Sequence, residues 1–283
     1  MIDLHCHSTC SDGTYTPEEL AEMGRGFAVF AITDHDNCDG GARFLAASRG
    51  HVGVRLAGIE LSLEPDSGYG EFHMLGLGID PGSECLAGFL EEIRRGRDER
   101  NARMVERLCA IGMPVTMEEV VAESGGDVVA RPHVARALMK RGYVSSIAEA
   151  FAKAIGPGCP AYCSRFHPRP DKAIAAVHAA GGVAVMAHPR SWTRDPSALR
   201  AGLAKLRDMG LDGIEAVYQA NMPDETIDHL RAARELGLAV SAGSDFHGEN
   251  KPAITLGMDV EGEEEFVAPL LGRLAEVRKG IAK

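Results

Sequence analysis

The sequence predicts an α/β protein: a β/α barrel interrupted by a helical insertion. Three observations predict it. Strands and helices alternate at both ends of the chain, with a different, helix-rich texture between them. Most of the roughly seven strands are apolar throughout, as expected where both faces of a strand are covered. Histidines and acids stand at or near the ends of six of these strands, and the carboxyl ends of parallel barrel strands are where such folds place their chemistry.

Ile2 and Leu4 open a short strand that runs into His5-Cys6-His7-Ser8. Side chains alternate along an extended backbone, so His5 and His7 share a face and Cys6 opposes them. A Ser/Thr/Gly-rich turn follows and can bring Asp12 back to the same place. Thr16-Pro17-Glu18-Glu19 is a helix start with an N-cap threonine, proline at the first position and acids in the first turn. The strand 28–33 ends in Asp34-His35-Asp36, and after a helix over 41–48 the strand 54–59 ends at Glu60. The strand 71–77 carries His73 inside it.

From Glu84 the pattern turns helical and charged. Patches over 84–111, 117–124, 133–141 and 146–155 are followed by a proline- and glycine-rich stretch at 157–170. Residues 84–168 therefore read as an insertion that divides a barrel of residues 1–83 and 169–283. Arg94 to Arg107 alternate with acids and read as a solvated helix face. Alternation then resumes: helix 171–180, strand 183–187 ending at His188-Pro189, helix 196–209 and strand 213–217 with Glu215 inside it. A helix over 223–236, the strand 238–242 ending in Gly243-Ser244-Asp245-Phe246-His247, and a last helix over 264–278 complete the chain.

Composition excludes several classes. A net charge of −11 argues against a broad basic surface for an extended nucleic-acid duplex, though bound cations can reverse the sign locally for a small phosphorylated substrate. No apolar run approaches the roughly 20 residues of a membrane span, and the N-terminus lacks the basic and apolar regions of a signal peptide. Seven cysteines without a CxxC pair fit reduced thiols. A cytoplasmic protein is expected.

A lone histidine after a strand is usually structural. His, Asp and Glu from six strands on one rim are not, because buried unpaired imidazoles and carboxylates are costly and divalent ions remove that cost. His5, His7, Asp12, His35, Glu60, His73, His188, Asp245 and His247 are the candidate ligands, enough for about two or three ions. Imidazole with carboxylate suits Zn, Mn or Fe better than Mg or Ca alone. Such multi-ion sites favour hydrolysis of phosphate esters.

The motifs HxHS followed by SDG, then TDHD, GIE, the strand histidine, AHP and SDFH resemble the polymerase-and-histidinol-phosphatase (PHP) superfamily over almost the whole chain. The resemblance implies a distorted seven-stranded β/α barrel with a trinuclear metal centre and a metal-bridging hydroxide. By that resemblance His5, His7, Glu60 and Asp245 hold one ion, Glu60 bridges to a second completed by His73 and His188, and Asp12, His35 and His247 hold the third. The insertion is similar to that of the branch acting on nucleoside 3',5'-bisphosphates and short oligonucleotides. That branch carries an Arg/His pair, here Arg131 and His133: a phosphate clamp and a group that contacts substrate or protonates the leaving oxygen. With Asp245, His133 is the expected catalytic residue.

Two departures bear on substrate. After AHP the branch often continues with arginine and then tyrosine, and here the run is Arg190-Ser191-Trp192. Cys159 stands where some relatives carry lysine. Asp34 and Asp36 read either as partners that orient imidazoles or as solvated turn acids. Glu215 reads as satisfied within the barrel, and His51, His167, His178 and His229 receive no role. The expected activity is hydrolysis of a nucleoside 3',5'-bisphosphate to the 5'-monophosphate and orthophosphate. The rivals are 5'-3' exonuclease action on short oligonucleotides, histidinol-phosphate hydrolysis and a non-catalytic metal-binding scaffold.

Overall fold

The structure is a computed structural model describing residues 1–64, 70, 72–124, 129–164 and 166–281. The expected strand start at Glu71 lies outside them. Seven strands follow one another in sequence order around a nearly closed barrel. They are β1 (Ile2–Asp3), β2 (Val29–Ile32), β3 (Val54–Ser62), β4 (His73–Leu77), β5 (Val183–Met186), β6 (Gly213–Tyr218) and β7 (Ala239–Gly243). The segment after β1 bonds to β7 and the residues that follow it: Leu4 N donates to Ala242 O (2.9 Å), His7 N to Phe246 O (2.9 Å) and Asp245 N to His5 O (2.7 Å).

One strand departs from the parallel expectation. β4 runs antiparallel to both β3 and β5, while the remaining paired strands are parallel. The chain between β3 and β4 is too short for a helical crossover, so it must turn back. The reversal puts the amino end of β4, with Ser62 opposite His73, on the rim formed by the carboxyl ends of the others. His73 thus reaches that rim as the first residue of its strand, not as an internal one. Likewise Glu60 lies inside β3, which runs on to Ser62.

Helix α1 (Pro17–Met23) is held by a capping box in which Thr16 Oγ1 accepts from Glu19 N (3.2 Å) and Glu19 Oε2 from Thr16 N (2.8 Å). Helix α2 (Asp39–Ala47) follows β2. After β4 come α3 (Glu84–Ala110), α4 (Met117–Ala122), α5 (Arg131–Lys140) and α6 (Ile147–Ala150), which continues as a π-helical turn over Phe151–Ile155. Helices α7 (Pro170–Ala179), α8 (Pro196–Asp208) and α9 (Pro223–Leu236) precede β5, β6 and β7, and α10 (Glu263–Ile281) ends the described chain.

The chain divides into two compact units, Met1–Leu90 with Pro168–Lys283, and Glu91–His167. The division falls inside α3, some residues beyond the expected start of the insertion at 84. In the first unit, alternate strand residues (Ile2, Val29, Ala31, Leu75, Leu77, Val183, Val185) join Val267, Leu270 and Leu274 of α10 in one apolar cluster. In the second, Met104, Leu108, Val120, Val134, Leu138 and Ile155 form a separate core. The arginine run of α3 is not uniformly solvated: Arg97 and Arg100 are buried, while Arg103 donates to Ser164 O (3.3 Å) and Arg107 to Tyr162 O (2.5 Å). Alternation with acids does not mark which arginines are buried, because the long apolar stem lets the side chain serve either face.

Among the described residues, no helix is long and apolar enough to cross a membrane. All seven cysteines are free thiols.

Candidate metal centre

The rim is assembled from short, heavily bonded turns. His5 and His7 follow β1, and the intervening Cys6 faces the other way, into a cluster with Leu20, Phe30 and Phe44. The turn carrying Asp12 is held from below by buried Asp34, whose carboxylate accepts from Ser8 N (2.8 Å), Ser8 Oγ (2.7 Å) and Ser11 Oγ (2.7 Å). Only glycine fits at 13, where a Cβ would lie 2.1 Å from His7 O. Asp34 therefore shapes a loop and holds no imidazole. Asp36, also buried, accepts from Ser62 N (3.1 Å). Among the described residues, three other than glycine have positive φ: Asp36 (48°), His188 (24°) and Asp245 (59°). All three stand in these rim segments, where the surrounding bonds hold a strained backbone.

Glu60 is the centre of the arrangement and is fully buried. His188 Nε2 lies 2.8 Å and His73 Nδ1 2.9 Å from its Oε1. His35 Nδ1 (3.0 Å), His7 Nε2 (3.2 Å) and His5 Nε2 (3.3 Å) surround its Oε2. Asp245 Oδ1 stands 3.6 Å from His5 Nε2 and 3.4 Å from His7 Nε2. Asp12 Oδ1 is 3.3 Å from His247 Nε2, and its Oδ2 is 3.9 Å from His35 Nε2. Among the described residues, three sets bring donor atoms close enough to share an ion: His5/His7/Glu60/Asp245, His7/Asp12/His35/His247, and His35/Glu60/His73. The first is the set expected for one ion. In the second His7 joins the expected trio. In the third His35 stands with Glu60 and His73, while His188 approaches the same Glu60 oxygen.

The donor set fits divalent ions on an observation internal to the site. Glu60 Oε2 is buried and makes no hydrogen bond, although three imidazole nitrogens lie within 3.3 Å of it. Nitrogens gathered at these distances around one carboxylate oxygen fit a shared divalent ion. Electrostatics point the same way. Burial opposes charge on Glu60, but the imidazoles of His35, His5 and His73 hold its carboxyl well below the usual range. Burial likewise opposes the His7 imidazolium, yet Asp245 and Glu60 raise its pKa to about 9. The carboxylates demand positive charge.

Three side chains behind the ring were not expected to serve it. Glu215 Oε1 pairs with His5 Nδ1 (3.0 Å), which turns Nε2 toward Glu60, and its Oε2 accepts from His188 N (2.7 Å). Tyr218 Oη and Lys251 Nζ donate to Asp245 Oδ2 at 3.0 and 2.7 Å. Glu215 is satisfied within the barrel, as expected, but its partners are His5 and the His188 backbone, which come from other strands and leave no mark beside it in the sequence. Tyr218 is hidden by a β-bulge between Glu215 and Val217, which puts residues three apart on one face where a regular strand opposes them.

The remaining expected residues are placed as follows. Arg190 Nη1 pairs with Glu225 Oε2 at 3.4 Å. In the second unit the Arg131 guanidinium lies over the rings of Phe151 (5.6 Å) and Tyr162 (5.9 Å). His133 is buried in the first turn of α5, and its Nδ1 accepts from Ala130 N (3.0 Å). Cys159 Sγ donates to Phe151 O (3.4 Å) and Ala152 O (3.2 Å). His178, given no role, bonds Asp212 (2.7 Å).

A barrel whose rim gathers imidazoles around a buried carboxylate defines the class of hydrolases that work with divalent ions. The PHP domain matches residues 3–115. The chain is 34% identical, over 95% of its length and 93% of the other, to a 3',5'-nucleoside bisphosphate phosphatase of Chromobacterium violaceum. It is 33% identical, over 87% of its length and 89% of the other, to a 5'-3' exoribonuclease of Haemophilus influenzae. A crystal structure from Bifidobacterium adolescentis, provisionally designated a metal-dependent phosphoesterase, superposes with a TM-score of 0.77 at 33% identity, covering 96% of this chain and 98% of that one. The chain belongs to the PHP family and is a phosphoesterase.

Proposed function

We propose that the protein hydrolyses a nucleoside 3',5'-bisphosphate to the nucleoside 5'-monophosphate and orthophosphate, with two or three Mn, Zn or Fe ions as cofactors. The observation that carries the reaction class is buried Glu60, its Oε2 without a hydrogen bond among three imidazole nitrogens. The substrate rests on similarity along nearly the whole chain to a phosphatase of that name.

His5, His7, Asp12, His35, Glu60, His73, His188, Asp245 and His247 would hold the ions. When bound, the ions supply Lewis acidity and an acidified water at neutral pH. The chain's own groups do the rest. Glu215 orients His5, so that Nε2 faces the cluster. Arg131, its guanidinium over two aromatic rings, is the phosphate clamp. Arg190 is the second candidate, its guanidinium now paired with Glu225. Because Ala130 N–H donates to His133 Nδ1, the neutral ring carries its proton on Nε2, the nitrogen from which it would pass to the leaving oxygen. Free thiols suit a reducing compartment, so the cytoplasm is the proposed setting.

A second reading is favoured by the similarity to a 5'-3' exoribonuclease: removal of mononucleotides from short oligonucleotides. One panel separates the readings: adenosine 3',5'-bisphosphate, histidinol phosphate, AMP and a 5'-phosphorylated trinucleotide, with Mn-loaded protein and chromatography of products. AMP plus orthophosphate from the bisphosphate supports the first reading. Mononucleotides from the trinucleotide without orthophosphate support the second, and cleavage of histidinol phosphate alone overturns both. His133→Ala should keep its ions and lose most turnover; lost ions would remove His133 from the substrate side.

A further inference from the structure

Asp245 is gripped from behind, and the grip has a function. The two oxygens of its carboxylate live in different surroundings. Oδ1 faces His5 Nε2 (3.6 Å), His7 Nε2 (3.4 Å) and His247 Nδ1 (3.4 Å). Oδ2 is turned away and takes two donors, Tyr218 Oη (3.0 Å) and Lys251 Nζ (2.7 Å). These donors come from separate elements, the last residue of β6 and the turn that follows His247. Neither is there by accident of a flexible surface. Tyr218 reaches the face only through the bulge in β6. The Lys251 backbone is pinned at both ends, its N donating to Gly248 O (3.1 Å) and its O accepting from Ile254 N (3.0 Å).

We infer that Tyr218 and Lys251 form a clamp that makes Asp245 a one-oxygen ligand and fixes which oxygen it offers. The inference rests on the reading of Asp245 as a metal ligand. A free carboxylate can bind an ion through one oxygen or two and swing between the modes. With both lone-pair regions of Oδ2 occupied, that choice is closed. Lys251 differs from an ordinary surface lysine paired with an acid, because its partner is almost wholly buried (6% exposed) while the ammonium stem is half-exposed. The pair is therefore not dissolved by solvent as an exposed one is. Its charge also offsets one carboxylate of the cluster, which limits how many cations the site must recruit. The clamp residues are positioning residues: they act through Asp245.

The test is metal binding by the full chain, stripped with a chelator and titrated with Zn in competition with a chromophoric chelator. Lys251→Met and Tyr218→Phe are measured beside Lys251→Arg, with thermal midpoints of the stripped proteins as the fold control. Both deletions should weaken one class of site by about 10- to 100-fold and leave the others and the stripped midpoint unchanged. Lys251→Arg, which keeps the charge and donors, should recover most of the loss. Wild-type affinity at every site in both deletion variants would overturn the clamp while leaving the metal centre intact. A wild-type chain that takes up no Zn would overturn the metal reading itself, and the clamp with it.

Discussion

His5 shows how remote side chains fix one ring. Its ring sits fully buried between Glu215 Oε1 at Nδ1 and Glu60 Oε2 at Nε2. Burial works against charge on the ring, and Glu215, Glu60 and Asp245 overcome it and raise its pKa well above the ordinary value. Glu215→Gln keeps the shape but replaces the oxygen pair that accepts from His5 and from His188 N by one oxygen and an amide. It should cost about 10- to 100-fold in metal affinity with little loss of fold, read by Zn titration and a melting curve. Unchanged affinity would reduce Glu215 to a strand-packing residue. At this scale the sequence was legible where chemistry is local. HxH, TDHD and SDFH name their side chains and the faces they share. It was illegible where the partner is remote: Glu215 lies 210 positions from His5, and nothing in either neighbourhood announces the other.

Elements supply the distances that residues cannot. The approach of β7 to the end of β1 is one example. A Cβ on Gly243 would stand 2.3 Å from His5 Cβ and 2.4 Å from Glu215 Oε1, so glycine here is a requirement of close approach. Gly243→Ala should cost about 1–3 kcal/mol and displace His5, lowering both the thermal midpoint and the ions retained per chain. A variant with wild-type midpoint and metal content would show that the strands can separate without penalty. The helices were readable from their caps, as Thr16 with Pro17 and Glu19 shows. The reversal of β4 was not, since an apolar strand carries no mark of its direction. Only the short chain before it, with no room for a crossover helix, determines that His73 meets Glu60 from the opposite strand end. The bulge in β6 was equally silent, and with it went Tyr218.

For the whole molecule, an acidic chain gathers imidazoles and buried carboxylates on the rim of its barrel. Class and order of elements follow from alternation and from the spacing of the ligand motifs along nearly the whole chain. The length of α3 was legible too, but its burial was not, because charged residues with long stems serve both exposed and buried helix faces; Arg97 and Arg100 are the cases in point. The central claim is that this barrel hydrolyses phosphate esters with ions gathered about Glu60. The measurement that bears on it most directly is orthophosphate release from adenosine 3',5'-bisphosphate by three samples: chelator-stripped protein, the same protein resupplied with Mn, and Glu60→Gln resupplied with Mn. The expected result is no release from the first, AMP and orthophosphate from the second, and a rate at least about 100-fold lower from the third. Equal rates from stripped and resupplied wild type, or full activity in Glu60→Gln, would contradict it.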